Sequence, residues 1–98
     1  MWSKPTTKQL SKIPKLYSTE NVMIPDKKIW MHFFMGGSDW FIAEFDGLDT
    51  MFGYCIMNND ELMAEWGYVS YQELLCLRWG ALEVDRDRHW KVRKFSEI

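Results

Sequence analysis

Between residues 29 and 77 the sequence has no lysine and no arginine. The same stretch holds eight acids: Asp39, Glu44, Asp46, Asp49, Asp60, Glu61, Glu65 and Glu73. The segment charges are +4 for residues 1–28 (six bases, two acids), −8 for residues 29–77, and +2 for residues 78–98 (six bases, four acids). The formal net charge of −2 therefore conceals a strong asymmetry. Because acids without basic neighbours attract a basic partner or a cation, this stretch is the first candidate for function.

Cysteine is scarce and long apolar runs are absent. Cys55 and Cys76 form no C-x-x-C pair and are too few for a disulfide framework, so we expect both thiols to be reduced, buried and inert. Lys4 and Pro5 interrupt the region where a signal peptide would need an apolar run, and no apolar stretch approaches the length of a bilayer span. We expect a soluble cytoplasmic protein with one domain over residues 1–98, of which residues 1–5 form a flexible start.

Histidine is also rare, and no catalytic motif is present. His32 lies in an aromatic run, where a packed imidazole is the commoner arrangement, and both cysteines lie in apolar runs that disfavour a thiolate. Gly36 and Gly37 separate two predicted strands instead of opening a helix, so they indicate a hairpin and not a phosphate-binding loop. The sequence therefore predicts a protein that is not an enzyme, and a metal-dependent enzyme is the alternative left open.

Aromatic side chains are abundant: six Trp, six Phe and four Tyr. They bury much area per residue, which suits the core of a small domain. Thr6 and Gln9 predict a capping box at the start of a short N-terminal helix, which Pro14 limits. Ser70 and Glu73 predict a second capping box, for a helix near residues 71–78 that ends at Gly80.

Period-two alternation and turn signals predict the strands, which cover residues 28–35, 40–45, 50–57, 64–69 and 82–90. The turns between the first strands are short, which favours antiparallel pairing. We therefore predict an α+β fold: a twisted antiparallel sheet of four to five strands with the N-terminal helix and the second helix packed on one face.

The acidic stretch supplies the first candidate site. Its residues are Asp39, Glu44, Asp46, Asp49, Asp60, Glu61 and Glu65. Several fall at turn positions, where an aspartate side chain bonds nearby amides, so each has a local structural explanation. Local turn chemistry does not explain the absence of lysine and arginine from the whole stretch, since protein surfaces usually mix both signs. A solvated acidic face with no dedicated ligand is one interpretation. The other, on which our functional hypothesis depends, is that these acids cluster and bind a basic protein or nucleoprotein.

The basic C-terminal segment supplies the alternative site. Its residues are Arg86, Arg88, Trp90, Lys91, Arg93 and Lys94. Basic residues interleaved with an aromatic can grip phosphates, and Lys8, Lys12 and Lys15 would enlarge the patch if the two ends of the chain meet. The negative total charge argues against direct nucleic-acid binding. A small nucleic-acid-binding protein is therefore the alternative to an acidic interaction module.

Residues 85–89 also contain a candidate metal site. On a strand, Asp85, Asp87 and His89 would project on one side, and two carboxylates with an imidazole can hold a divalent cation. Alternating charges on an edge strand have a simpler use, because they pair with neighbours and prevent aggregation. The simpler use is favoured, so we predict no metal ion and no other cofactor.

Several motifs are spaced along nearly the whole chain from about residue 8 onward. They are residues 10–20 (LSKIPKLYSTE), Phe33-Phe34 before a turn, Phe45-Asp46-Gly47, Phe52-Gly53-Tyr54, residues 66–74 (WGYVSYQEL), residues 83–87 (EVDRD) and residues 95–98 (FSEI). In this order they resemble a bacterial family, domain of unknown function 2958. The first turn differs, because the family often has proline and more aromatics where this chain has Met35-Gly36-Gly37.

The resemblance implies a setting and no catalytic residue, since the family has no established activity to carry over. Such proteins are commonly encoded on plasmids, phages and other mobile elements, near genes for plasmid maintenance or for evading host defence. This setting favours a bacterial interaction protein, which the composition places in the cytoplasm, and we expect a monomer or a small homo-oligomer. Its more specific version is an inhibitor of a host defence complex, such as an anti-CRISPR protein.

Overall fold

The computed structural model describes residues 1–98 and is built around an antiparallel sheet. The helices are α1 (Thr7–Ser11) and α2 (Tyr71–Cys76), and single turns of 3-10 helix cover Ile24–Asp26, Glu61–Met63 and Phe95–Glu97. The strands are β1 (Lys28–Ile29), β2 (Met31–Met35), β3 (Ser38–Phe45), β4 (Thr50–Ile56), β5 (Glu65–Ser70), β6 (Arg78–Trp79), β7 (Leu82–Glu83), β8 (Asp85–Arg86) and β9 (Arg93–Lys94).

The main sheet has five strands in the order β5-β4-β3-β2-β8, and every neighbouring pair is antiparallel. Two small ladders, β1 with β9 and β6 with β7, flank it. The predicted α+β fold, with a five-stranded antiparallel sheet, a short N-terminal helix and a second short helix, is confirmed. None of the helices has the length and apolar composition needed to span a bilayer.

Strand β3 is the centre of the molecule, and its two faces pack against different covers. Trp40 and Ile42 face the larger core, which lies beneath both helices. The other members of this core are Ile13, Met31, Phe33, Phe45, Met51, Tyr71, Leu74 and Val84. Phe41 and Ala43 face the opposite way, toward Ile29, and the C-terminal segment closes this second face with Trp90 and Phe95.

The hairpin between β2 and β3 turns at Gly36-Gly37, as the sequence predicts. Gly36 has a φ of 56°, in the left-handed region that glycine adopts without steric cost. Gly37 has a different role, because the absence of a Cβ there leaves room for the Asn59 side chain, which a larger residue would displace. The turn is therefore packed directly against the loop that follows β4.

The second helix and the last predicted strand are shorter than expected. The predicted helix end at Gly80 is wrong, because α2 ends at Cys76 and Gly80, with a φ of 59°, turns the hairpin between β6 and β7. The predicted strand over residues 82–90 breaks into β7, β8 and a turn. Asp87 ends it, since its side chain accepts a hydrogen bond from the His89 amide and closes an Asx turn.

The first five residues, expected to be a flexible start, are held against the sheet. The Ser3 amide donates to the Asp85 carboxylate at 2.7 Å, and the Arg86 side chain donates to the Ser3 carbonyl at 2.7 Å. Pro5 is buried. These contacts join the N-terminal segment to β8, an interaction between residues more than 80 positions apart that no local pattern indicates.

Gly53 provides a test of the packing between β3 and β4. A Cβ on Gly53 would overlap the Phe41 carbonyl oxygen, a backbone atom that cannot move without disturbing the ladder. We expect Gly53→Ala to lower the free energy of unfolding by about 3 kcal/mol, measured by urea denaturation. The matched control is Gly67→Ala, where a Cβ meets nothing within 4 Å. Equal stability of the two variants would contradict this packing.

Candidate functional site

The seven candidate acids lie at two opposite ends of the sheet. Asp39 lies near the start of β3 and Asp46 directly follows its end, so about seven strand residues, roughly 23 Å, separate them. The loop at residues 57–64 returns the chain to the Asp39 end, which we call the loop end. The turn at residues 46–49 and the start of α2 form the other end, which we call the helix end. The structure therefore divides the acids instead of gathering them on one surface.

At the helix end the carboxylates support the backbone. Asp46 accepts hydrogen bonds from the amides of Leu48 and Asp49, each at 2.8 Å, and from Thr50 at 3.1 Å. The bonds from Leu48 and Asp49 do most to lower the pKa of the Asp46 carboxyl, and the Thr50 bond adds to them against a smaller effect of burial. This carboxylate is thus committed to its own turn.

Asp49 caps α2 from a neighbouring turn. Its carboxylate accepts from the Ser70 hydroxyl and from the Gln72 amide, both at 2.7 Å. Ser70 in turn accepts from the Glu73 amide at 3.1 Å, so the predicted N-cap residue is confirmed, whereas the Glu73 side chain does not bond the Ser70 amide and the predicted capping box is incomplete. Asp49, which lies beside the start of α2, therefore stabilises amides of the first turn that have no partner within the helix.

Glu44 is buried, and this corrects its expected place on an accessible acidic surface. It is 4% exposed, and its carboxylate accepts from the Tyr17 amide at 2.9 Å, from the Thr19 amide at 3.1 Å and from the Thr19 hydroxyl. The buried Lys27 ammonium binds Thr19 from the other side. A register shift between Ile42 and Glu44 causes this, because it turns Glu44 onto the same face as Phe52.

The loop end has acids of a different kind. Asp60 caps the single helical turn after it, accepting from the Met63 amide at 3.3 Å, whereas the side chains of Glu61 and Glu65 are exposed and make no hydrogen bond or ion pair. Leu62 lies among these acids and is 97% exposed, and Met63 beside it is also exposed. This loop therefore exposes apolar side chains to solvent between acidic residues.

The loop at residues 57–64 is held in place and does not hang from the sheet. The Asn59 amide donates to the Gly37 carbonyl at 2.8 Å, and the Asn58 amide donates to the Ser38 hydroxyl at 3.0 Å. Asn58 and Asn59 have φ values of 52° and 60°, a conformation that asparagine tolerates better than most residues. Because these bonds order the loop, Leu62 is held in its exposed position before any partner binds.

The β6–β7 hairpin adds exposed apolar side chains at the same end. Leu82 lies against the Gly36 side of the two-glycine turn, and Asn59 lies against its Gly37 side. Trp79 and Leu82 are directly paired and both are exposed. We call the set of Met57, Asp60, Glu61, Leu62, Met63, Glu65, Trp79 and Leu82 the loop-end surface. Sequence reasoning missed its apolar members, whose signal was the presence of leucine and methionine in a polar loop.

His32 is enclosed by two carboxylates at the edge of this end. Its Nε2 lies 2.7 Å from Asp39 and its Nδ1 lies 3.3 Å from Asp87, while the ring stacks on Phe41 with centroids 4.6 Å apart. Both ring nitrogens are occupied, so His32 has no free nitrogen for a metal or a substrate. Asp39 is likewise engaged and is not a free member of an acidic surface.

The residues of the candidate metal site have separate partners. Asp85 accepts from the Ser3 and Arg86 amides, and Asp87 bonds His32 and the His89 amide. His89 lies beyond β8, which covers only Asp85–Arg86. No group of three His, Cys, Asp or Glu side chains has an arrangement that could hold a metal ion. The strand geometry on which the metal hypothesis depended is absent.

Most of the basic C-terminal candidates hold the tail against the sheet. The Trp90 indole donates to the Ile29 carbonyl at 2.9 Å, and the Arg93 guanidinium lies 4.0 Å over the same indole ring. Lys94 pairs with Asp26 at 3.8 Å, and Arg86 bonds the Ser3 carbonyl. Of the six, the side chains of Arg88 and Lys91 make no hydrogen bond, ion pair or cation–π contact. The Arg93 guanidinium has the indole contact alone, and its Nε is buried without a hydrogen-bond partner.

The two ends of the chain do meet, at a groove of about 280 Å³. Lys12, directly after α1, lines it together with Arg86, Arg88, Trp30 and Trp90. Asp87 lines it as well, so the basic groups share it with an acid. The groove brings together two of the expected features, basic side chains and an aromatic wall. The Arg93 guanidinium lies over the Trp90 ring, so it already occupies one face of this indole.

The two thiols differ from each other. Cys55 is half-buried, and burial, followed by the negative charge of Glu65, raises the pKa of its thiol to about 11. Cys76 is exposed at the end of α2, which corrects the expectation that both are buried. Both are free cysteines, so no disulfide contributes to the fold.

Comparison with known proteins gives no relative from which a function could be carried over. No family model matches the chain, no curated protein is similar to it, and no solved structure shares significant similarity with it. The candidate sites therefore stand on their own geometry.

The contact between Asp87 and His32 gives a pH prediction. Partial burial raises the pKa of the Asp87 carboxyl, but the hydrogen bonds from His32 and the His89 amide and the charges of these imidazoles outweigh it, so the pKa lies below its ordinary value of 3.8. A carboxyl with a lowered pKa stabilises the fold above its unfolded-state pKa and loses this contribution as the pH falls.

We therefore expect Asp87→Asn to lower the melting temperature at pH 7. The difference should shrink as the pH falls below about 4, the ordinary pKa of the unfolded carboxyl, and should be smallest below the lowered pKa of the folded state. Melting curves between pH 2 and pH 8 measure this difference. The control is Glu65→Gln, since the Glu65 side chain has no partner and its removal should cost little at any pH. A constant gap between Asp87→Asn and wild type at all pH values would contradict the assigned ion contact.

Proposed function

We propose that this protein is a non-enzymatic interaction module that binds a basic protein partner through its loop-end surface. The observation that carries the proposal is Leu62, 97% exposed on an ordered loop and flanked by acids that have no basic partner. Apolar side chains held in solvent and rimmed by charge are typical of protein-binding sites. Burying a leucine of this kind on association contributes about 1.5–3 kcal/mol.

The charges determine the class of partner. Asp60, Glu61 and Glu65 surround the apolar residues, and the nearest basic residue along the chain from this loop is Arg78. Such a field attracts a surface on which lysine or arginine surrounds an apolar pocket, and it raises the rate of encounter more than the final affinity. Proteins that hold nucleic acid have basic surfaces of this kind, which makes a nucleoprotein a suitable target.

The more specific version of the proposal is an inhibitor of a host defence complex, encoded on a mobile genetic element. Its support is the motif resemblance together with the acidic character of the loop-end surface. A protein that covers a basic groove with acids and an apolar anchor would compete with the nucleic acid that normally occupies the groove. Inhibition of an RNA-guided nuclease is one form that such competition takes.

Affinity capture from bacterial lysate tests the proposal. We expect the wild-type protein to retain a basic protein in nuclease-treated lysate. The double variant Glu61→Lys with Leu62→Lys should lose it, because the substitutions remove the apolar side chain and reverse the local charge. The matched control is Leu48→Lys, which adds a charge to an 83% exposed leucine at the helix end. Equal capture by all three proteins, or capture that disappears with nuclease, would refute the proposal.

The groove at Lys12 and Arg88 supports nucleic-acid binding as a second candidate function. It joins α1 to the C-terminal segment, the arrangement that this function requires. We nevertheless expect little affinity for bare nucleic acid, because the acidic stretch repels phosphates within a Debye length of about 10 Å at 0.1 M salt. Few phosphate contacts are available, since only Arg88 and Lys91 of the C-terminal set are free of partners.

Fluorescence anisotropy with a labelled single-stranded oligonucleotide decides between the two functions. Titrations at low and moderate salt should show weak binding that Lys12→Ala with Arg88→Ala hardly changes. Tight binding would favour the second function if the logarithm of the association constant falls, for each tenfold rise in salt concentration, by about 0.7 per phosphate contact. In that case the double variant should flatten the salt slope, and a Lys4→Ala control should not.

A further inference from the structure

Strand β5 (Glu65–Ser70) is an edge of the main sheet and is paired on one side only. Its register with β4 is regular from end to end, so no bulge twists it away. The N–H and C=O groups of alternate residues in such a strand point outward, ready to pair with another chain. Proteins usually guard an edge with lysine, proline or a bulge, and β5 contains none of them.

The side chains along β5 leave room for an added strand. Trp66 and Tyr68 lie on one face, where their rings pack 5.4 Å and 5.2 Å from Phe52. Tyr68 is 60% exposed, so its ring can cover a residue of an incoming strand. Gly67, between them, has open space on the other face, where a Cβ would meet nothing within 4 Å. Cross-strand pairs with aromatic residues are among the stronger contacts in sheets.

Charge complementarity selects the occupant. Acids lie near both ends of β5, Glu65 and Glu61 at its start and Asp49 and Glu73 beside its end. A second copy of this chain, paired antiparallel, would place the acidic start of one strand beside the acidic end of the other, and opposed like charges destabilise such a pairing. An extended segment with lysine or arginine at both ends meets no such repulsion.

We infer that the outer edge of β5 binds an extended basic segment of the partner by strand addition. Backbone hydrogen bonds to β5 supply the affinity, Trp66 and Tyr68 cover apolar side chains at alternate positions, and the acids at the two strand ends pair with flanking basic residues. The inference rests on the proposed binding of a basic partner and names the way in which that partner is held.

The experiment uses the full chain and three synthetic peptides. The probe alternates valine and threonine and has two lysines at each end. The second peptide has glutamate for every lysine, and the third keeps the lysines but has proline at alternate central positions, so it has the same charge and cannot form a ladder. Binding is measured by anisotropy, and hydrogen exchange measured by NMR reports protection of the β5 amides.

We expect the probe to bind and to protect the outward amides of residues 65–70. The proline and glutamate peptides should bind at least about tenfold more weakly. Tyr68→Lys should weaken the probe about tenfold. Trp2→Lys, which adds the same charge at an 88% exposed residue beside the opposite edge strand β8, should change its affinity less than threefold. Circular dichroism checks that both variants fold. If Tyr68→Lys is unfolded, the comparison of the probe with the proline peptide still decides.

Three results would overturn the inference. Equal binding of the probe and the proline peptide, with shifts confined to residues 57–64, would place a basic partner on the loop-end surface alone and leave the proposed function intact. Failure of the probe to bind would rule out strand addition. The proposed function would then be tested separately by capture from lysate, which does not require backbone pairing with β5. Protected β5 amides in the protein alone, with a dimer in sedimentation, would show that a second copy occupies the edge.

Discussion

The structure depends on covering both faces of β3. All the residues of this strand from Trp40 to Phe45 are buried, yet the two helices, of five and six residues, pack on one face only. The second face is closed by the ends of the chain instead. Trp90 and Phe95 pack over it from the C-terminal side, and the segment around Tyr17 packs from the N-terminal side. Side chains in the two ends of the chain, which the sequence suggests are surface residues, therefore contribute to covering the second face of β3.

The buried Glu44 carboxylate shows how closely the N-terminal segment is tied to this requirement. A buried charge without partners is very costly, and here two amides, a hydroxyl and, through Thr19, the Lys27 ammonium satisfy it. Tyr17 holds a left-handed backbone, with a φ of 67°, to make its bond. The acid that would extend a binding surface thus holds the N-terminal segment in place. Of the seven candidate acids, the exposed ones are Asp60, Glu61 and Glu65, all at the loop end.

The features that the sequence predicted well are those decided by near neighbours. Thr6 and Gln9 form the expected reciprocal cap, and Gly36-Gly37 makes the expected turn. What the sequence could not predict depends on distant pairs: Asp49 capping α2, Arg93 over Trp90, and the register shift that buries Glu44. The division of the acids was within reach, because Asp39 and Asp46 lie at opposite ends of one predicted strand. The exposure of Leu62 had a weaker signal, its place in a polar loop, because burial is decided by the packing of that loop.

The ladder between β1 and β9 also affects the order of folding. It joins Lys28 to Lys94 and Ile29 to Arg93, so its closure spans most of the chain, and contacts between residues so far apart form slowly. During synthesis the meander β2–β5 leaves the ribosome first, with the aromatic face of Phe41, Tyr54 and Trp66 bare until residues 90–95 arrive. A nascent chain whose residues 90–95 are not yet free to fold would therefore expose this face, and a chaperone that shields aromatic surface would raise the yield of folded protein.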